Sequence, residues 1–121
     1  MIAAYQPLTI EEDVDFELRI SWIDANGNIV PISTDSSLDV VFAIALRGQE
    51  ASPIVYRQKS THPDDFATPG SGLLVINIDK DVIDATAWNR AYYSVKVYYL
   101  SNWIRLLEGP CVRSTEVALV S

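Results

Sequence analysis

The segment YYSVKVYYLSNWIRLLEGPCVRSTEV, residues 92–117, gives the clearest indication of the fold. Apolar and polar side chains alternate over residues 91–100, and a second apolar run follows over 103–109. A period of two is typical of a strand with one buried and one exposed face. The sequence therefore predicts two antiparallel strands joined by a turn at Ser101-Asn102, with a separate last strand over residues 111–120.

The first of these strands has two chemically different faces. The predicted core positions are Tyr93, Val95, Val97 and Tyr99, with Ile104 and Leu106 across the turn. The opposite face places Tyr92 and Tyr98 on either side of Lys96. Tyrosine is frequent at binding surfaces, but aromatic side chains also pair across strands in ordinary sheets. A binding platform, a structural pairing and a buried second face all remain open for these residues.

Upstream, VDFELRISW (14–22) alternates in the same way and predicts a half-buried strand. DANGN (24–28) contains Asn-Gly, which favours a hairpin turn because both residues tolerate positive φ. IVPI (29–32) predicts a short edge piece, since Pro31 cannot donate a ladder hydrogen bond.

Three more runs complete the predicted strands. LDVVFAIAL (38–46) is apolar on both faces and predicts a central strand covered on both sides. PIVYRQK (53–59) and GLLVINI (72–78) follow, separated by residues 60–72, which have two prolines and two glycines and predict a loop. Residues 79–90 are the one helical candidate, with Val82, Ile83 and Trp88 facing the core.

About 7–9 short strands with regularly spaced turns predict an all-β fold, an immunoglobulin-like antiparallel β-sandwich. One short helical turn is expected near residues 80–88. The 121 residues show no linker or internal repeat, so residues 1–121 are expected to form a single domain. Hydrophobic residues make up 49% of the chain, which provides enough material for a core.

The charge excludes some classes of partner. A net charge of −7 argues against binding to nucleic acid, which requires clustered Lys and Arg, and against anionic membrane surfaces. No segment approaches the length of a membrane span, and no signal peptide is evident at the start. Cys111 is the single cysteine, so no intramolecular disulfide can form, and a buried apolar role is expected for it.

Several polar groups have residue types found in catalytic or metal sites, but their spacing supports neither role. Asp24, Asn26 and Asn28 supply oxygens, but the spacing does not match a calcium-binding EF-hand loop. Residues 79–84 contain three aspartates, which helix capping explains more simply than a metal. His62 lies in a proline-rich loop without a nucleophile motif. The adjacent acids of 11–13 face alternate sides of an extended chain. The prediction is therefore no catalytic residue, no metal and no cofactor.

The aromatic side chains are the best remaining candidates for a function. Tyrosine and tryptophan combine a large apolar surface with a polar atom, which suits both protein and sugar contacts. The candidate interaction surface consists of Tyr92, Lys96, Tyr98, Trp88 and Trp103.

Four segments together carry a family resemblance. They are SWIDANGNIVPI, VVFAIALRG, GSGLLVINIDKDVIDA and the opening stretch 92–117. In this order they resemble small immunoglobulin-like β-sandwich proteins of tailed bacteriophages and prophages, from the tail, baseplate or tail-fibre region. The similarity runs from about residue 14 to residue 118, and residues 104–109 and 114–117 carry most of it.

The resemblance implies a non-enzymatic virion structural protein, made in the bacterial host cytoplasm and assembled into a virion. Its partners would be other virion proteins or copies of itself, with no nucleic acid and no membrane. Sheet edges are natural sites for such pairing, and the segment around Pro31 and the terminal strands are candidate edges. The alternative is a carbohydrate-binding module that uses the tyrosine and tryptophan side chains as a platform.

Overall fold

The computed structural model describes residues 4–11, 14–24, 26–32, 37–70, 72–85 and 88–114. Within these residues the chain forms nine strands and very little helix. The strands are β1 (Ala4–Tyr5), β2 (Leu8–Glu11), β3 (Phe16–Ser21), β4 (Asp39–Ala45), β5 (Val55–Gln58), β6 (Phe66–Gly70), β7 (Leu73–Ile78), β8 (Arg90–Tyr99) and β9 (Asn102–Ser114). A 3-10 turn (Pro63–Asp65) and one helical turn, α1 (Lys80–Asp84), lie between them.

The strands form two sheets. The larger has the order β1-β9-β8-β4-β5, with β2 also paired to β9, and the smaller has the order β3-β7-β6. In the immunoglobulin convention, strands β3 to β9 correspond in chain order to B, C, C′, D, E, F and G. The larger sheet then contains the order G-F-C-C′ and the smaller sheet has the order B-E-D, as in immunoglobulin sandwiches. The predicted all-β, immunoglobulin-like sandwich is therefore confirmed. None of the helical residues in the described ranges forms a segment long and apolar enough to cross a membrane.

The hairpin predicted from the opening stretch is present, with two differences. Its turn residues are Leu100 and Ser101, with φ of 49° and 67°, one position earlier than predicted. A two-residue turn with positive φ at both positions matches the right-handed twist of the flanking strands. The second strand also continues through residues 110–114 rather than ending before a separate last strand. The predicted segment 115–120 lies outside the described residues.

The continuation of β9 depends on what lies beside Pro110. On one side Pro110 is opposite Tyr92 of β8, and on the other side β9 faces the break between β1 and β2. Pro110 has no N–H to donate, and proline is tolerated in a strand where no neighbour needs that donor. The preceding residue, Gly109, allows the Gln6 backbone to lie close to β9, because a Cβ at residue 109 would lie 2.5 Å from the Gln6 carbonyl oxygen.

The N-terminal strands were not predicted. β1 and β2 both pair with β9, and both pairings are parallel rather than antiparallel. Ile10 of β2 is almost completely buried, which explains how this short segment is held. Apolar and polar side chains alternate over the four residues of β2, a pattern too short to distinguish this strand from the surrounding sequence.

The predicted loop over residues 60–72 is confirmed for residues 60–65 and wrong for residues 66–70. Phe66–Gly70 forms β6, with buried Phe66 paired to Ile76 and a bulge between Ala67 and Gly70. The bulge precedes Gly70 and spans Pro69, which explains why a proline-containing segment can still pair at a sheet edge. Residues 29–32 are likewise not a strand, and only an isolated bridge joins Ile23 to Ile29.

The short helical turn predicted near residues 80–88 is present as α1. It is a single turn, and the Asp79 carboxylate caps it by accepting a 2.8 Å hydrogen bond from the Asp81 amide. Ile83 and Trp88 are buried and Val82 packs against the core, as predicted. This turn and Trp88 close one part of the sandwich.

The core lies between the two sheets. Phe42 of β4 is completely buried and stacks on Phe16 of β3, with 5.6 Å between ring centroids. Tyr93 of β8 contacts the same ring at 6.4 Å. Val95 and Val97 are fully buried beside them, so the predicted inner face of β8 is confirmed.

Candidate interaction surface

The outer face of the larger sheet contains a groove of about 470 Å³. Its floor is formed by small side chains, because Ala43 of β4 pairs with Ser94 of β8 and Ala45 lies two residues further along. Successive side chains of a strand point to opposite faces, so these residues face away from the core that contains Phe42 and Ile44. The predicted central position of β4 is confirmed, because β4 lies between β8 and β5. Its outer face, which was predicted to be covered, is instead the floor of a groove.

Two tyrosines flank this floor. Tyr56 of β5 is the cross-strand partner of Ala43, and Tyr92 of β8 is the partner of Ala45. Their exposed fractions are 52% and 40%. Both rings are therefore accessible. The small side chains of the floor do not fill the space between the two rings, and this space is the groove.

The groove becomes charged along β8 and β9. Lys96 is opposite Arg105, and the Arg105 guanidinium lies 3.1 Å from the Glu108 carboxylate. Glu50 lines the groove as well. Two cations and two carboxylates on one open surface can hydrogen-bond to a polar partner, while the tyrosines offer apolar area.

An aromatic pair lies beyond the charged residues. Tyr98 and Trp103 are cross-strand partners with ring centroids 5.3 Å apart. Trp103 is 49% exposed and, with Lys96, Arg105 and Glu108, lines a second, shallower depression. The same charged residues line both depressions, so the groove and the aromatic pair form one continuous surface, called here the outer face.

Four of the five residues predicted for an interaction surface lie on the outer face. Tyr92, Lys96, Tyr98 and Trp103 come together there because alternate residues of β8 and the start of β9 share one side of the sheet. The inclusion of Trp88 was wrong. Its side chain is only 5% exposed, its indole N–H donates to the Ile83 carbonyl oxygen, and the Arg113 guanidinium lies over its ring.

Other outer-face residues were missed by the sequence analysis. Tyr56, Arg105 and Glu108 line the groove, as do the small residues of its floor. One signal was available for the floor. Ala43 and Ala45 alternate with the large side chains Phe42 and Ile44, a pattern that indicates an outer face with little bulk.

The aspartates that were not predicted to bind metal have structural roles. Oδ1 of Asp24 accepts hydrogen bonds from the Asn26 and Asn28 amides, which holds the hairpin turn in place of a metal. Asp84 forms an ion pair with Arg113 at 3.5 Å. Within the described ranges, no group of three or more His, Cys, Asp or Glu side chains could hold a metal ion. Glu12 and Asp13 lie outside those ranges.

Two ionisable groups are strongly affected by burial. Burial raises the pKa of the Tyr93 hydroxyl to about 12, with a smaller contribution from Cys111. Burial also raises the pKa of the Cys111 thiol to about 12, so the thiol stays protonated at neutral pH. Cys111 is 1% exposed and belongs to the core, as predicted.

Comparison of the sequence with models of known families and with curated proteins found no match.

Proposed function

We propose that this chain is a non-enzymatic structural protein of a tailed-phage or prophage virion, associated with the tail or baseplate. Its outer face would be the surface that contacts other virion proteins. The observation that carries this proposal is the exposed Trp103, which packs on half-buried Tyr98 next to the charged residues of the outer face. Tryptophan, tyrosine and arginine are the residues that most often dominate protein interfaces.

The sequence resemblance and the outer face involve the same segment. Residues 104–109 carry much of the resemblance to phage structural proteins, and they contribute Arg105, Glu108 and Gly109 to the lining of the groove. A strand that supplies both the family-like motif and the accessible surface supports an assembly role for that surface.

The test follows the protein into assembled particles. We expect mass spectrometry of particles induced and purified from the strain that encodes the chain to detect the wild-type protein. Immunogold labelling should place it at the tail or baseplate. Replacing Trp103 with Ala should strongly reduce its incorporation, because an exposed aromatic anchor at an interface centre contributes about 2 kcal/mol or more to binding.

A matched control removes exposed apolar surface from another part of the molecule. Val14, 42% exposed, lies away from the outer face, and Val14→Ala should be incorporated normally. Particles that lack the wild-type protein would refute the virion proposal. Normal incorporation of Trp103→Ala would leave the virion role intact and exclude the outer face as the contact surface.

One observation favours carbohydrate binding as a second candidate. Tyr56 and Tyr92 flank a groove whose volume falls within the range of small-molecule sites, and sugar rings stack on such side chains. Trp22 and Trp88 are buried while Trp103 is exposed, so tryptophan fluorescence reports on this surface. A saturable change on titration with soluble glycans, absent in Tyr92→Ala, would support this function. A flat titration with every glycan would count against it.

A further inference from the structure

Among the residues that the structure describes, no strand pairs with the outer side of β3, so the smaller sheet has an open edge there. Among the strands at sheet edges in the described part of the chain, β3 is the longest, with six residues against four in β2 and four in β5. β6 has five residues, but Pro69 interrupts its backbone donors. β3 contains neither proline nor glycine. An edge of this kind is a template for pairing with another strand.

The open edge results from the placement of the N-terminal strands. In a constant-type immunoglobulin sheet of order ABED, a first strand covers strand B. Here β1 and β2 both pair with β9 in the larger sheet, and among the nine described strands β3 pairs only with β7. The position beside β3 that strand A would occupy is thus left for another strand.

The hydrogen bonding of β3 shows which backbone groups face this edge. The Trp22 amide donates to the Gly72 carbonyl oxygen, on the side of β7. Backbone groups alternate between the two sides of a strand, so even-numbered residues face β7. The N–H and C=O groups of Glu17, Arg19 and Ser21 therefore point to the open edge, where a further strand could pair with them.

We propose that a second copy of this chain adds its own β3 to this edge in antiparallel orientation, with the two-fold axis at Leu18. In a two-fold antiparallel pairing, odd-numbered residues of one copy must lie opposite odd-numbered residues of the other. The reason is that only the odd-numbered residues direct their backbone groups to the edge. Centring on Glu17 or Arg19 would place like charges opposite each other. Centring on Leu18 places Glu17 of each copy opposite Arg19 of the other.

The charged side chains are available for these contacts. Glu17 and Arg19 form an ion pair of 3.4 Å within β3, and their side chains are 52% and 59% exposed. On the opposite face, the same register places Phe16 of one copy against Ile20 of the other, with the two Leu18 side chains between them. Opposite charges on one face and apolar contacts on the other both favour this register.

The product would be a symmetric dimer in which two three-stranded sheets form one continuous sheet. The interface consists of one strand from each copy, so it is smaller than the interfaces of stable dimers, and the dimer would form only at high concentration. The proposal is independent of the virion role and of the outer face, which lies on the other sheet.

The test is sedimentation velocity of the purified chain over a wide range of concentration. The wild-type protein should shift from monomer to dimer as the concentration rises. Arg19→Glu should weaken dimerisation at least tenfold because it places two carboxylates opposite each other at each contact, and Glu17→Arg should act in the same way with two cations. The double variant Glu17→Arg/Arg19→Glu should restore the wild-type dimerisation, because it reverses both members of each pair.

Circular dichroism and thermal unfolding of each variant check the fold, which these exposed substitutions should leave intact. Trp103→Ala is a further control that alters the outer face, and it should dimerise like the wild type. A wild-type chain that stays monomeric at every concentration would overturn the proposal. A dimer that is insensitive to both charge reversals, or one that the double variant does not restore, would overturn it as well.

Discussion

The Tyr93 side chain connects the core to the N-terminal segment. Its ring contacts Phe42 between the sheets, and its hydroxyl donates a hydrogen bond to the Gln6 carbonyl oxygen. Cys111, on the neighbouring strand β9, is buried close by. Both groups are neutral when protonated, and the low polarity of their surroundings favours that neutral form.

This environment predicts a loss of stability at alkaline pH. The pKa of Tyr93 is raised from 10.0 to about 12, and that of Cys111 from 9.0 to about 12. The folded state therefore holds both protons more tightly than the unfolded state, and the stabilisation is complete below pH 9. It should be lost progressively as pH rises from 9 towards 12. Urea unfolding at stepwise higher pH measures this decline.

Two variants assign the effect to these groups. Cys111→Ala should remove the part of the decline that begins near pH 9, and Tyr93→Phe the part that begins near pH 10. At neutral pH, Tyr93→Phe should lower the free energy of unfolding by about 1 kcal/mol, because it removes one hydrogen bond to a backbone carbonyl. Tyr56→Phe, which alters an exposed hydroxyl, should leave the pH profile unchanged. A decline that persists in the Cys111→Ala/Tyr93→Phe double variant would contradict this assignment.

Among the described strands, β9 pairs with the largest number of other strands. It pairs with β8 on one side and with β1 and β2 on the other. Gly109 lies where the chain passes between β1 and β2, in contact with the backbone of Gln6. The N-terminal strands can reach β9 at this point because residue 109 has no side chain.

Gly109→Ala tests this role of the glycine. The added methyl group would lie 2.5 Å from the Gln6 carbonyl oxygen, so either the N-terminal segment or β9 must shift. We expect a loss of about 1–3 kcal/mol in the free energy of unfolding. Amide hydrogen exchange should become faster in residues 4–11, while β3 and β7 remain protected.

Gly27→Ala is the matched control. No atom lies within 4 Å of a Cβ at Gly27, but its φ of +82° disfavours alanine. Its effect should be confined to the hairpin over residues 23–29. Unchanged exchange in residues 4–11 of Gly109→Ala would show that the close contact with Gln6 does not hold these strands.

The elements that could be predicted from the sequence lie in alternating or apolar runs of six residues or more. β3 and β8 alternate, β4 and β7 lie in nearly continuous apolar runs, and β5 lies within the seven-residue run 53–59. β2 and β6 were missed, the first because four residues are too few for a pattern, and the second because Pro69 and Gly70 are typical of loops. β2 is held by its pairing with β9, and β6 by its pairing with β7. The sequence of a short segment does not show which distant strand it will pair with.

The outer face could be predicted only in part, for a related reason. Tyr92, Lys96 and Tyr98 were found because they lie on one strand, and Trp103 because it follows the turn. Tyr56 and the Ala43 floor come from other strands, and the register between strands brings them together. Trp88 was assigned to the surface because its residue type suits binding, whereas local packing buries it.

At the scale of the whole molecule, aromatic packing holds the two sheets together. Phe16 of the smaller sheet stacks on Phe42 of the larger, and Tyr93 extends the contact. Antibody domains use an inter-sheet disulfide packed against tryptophan in the corresponding part of the sandwich. This chain has a single cysteine, so no intramolecular disulfide joins its sheets.

Phe42→Ala measures the strength of this connection. Removing a fully buried ring that contacts both sheets should cost about 3–5 kcal/mol, a large share of the 5–15 kcal/mol typical of a whole domain. Urea denaturation followed by circular dichroism gives the value. Tyr56→Ala truncates an aromatic ring on the outer face and should change the free energy of unfolding by less than about 0.5 kcal/mol. Equal losses in the two variants would show that the stack does not join the sheets.

The parallel pairing of β1 and β2 with β9 determines how the molecule responds to a pulling force. Tension applied between Ala4 and Ser114 draws two parallel strands in opposite directions along their common axis. The load is then shared by all the hydrogen bonds between them, which must break together and not one after another. Single-molecule stretching from these two positions should show a higher rupture force than stretching across the β8–β9 hairpin, where the bonds open in sequence.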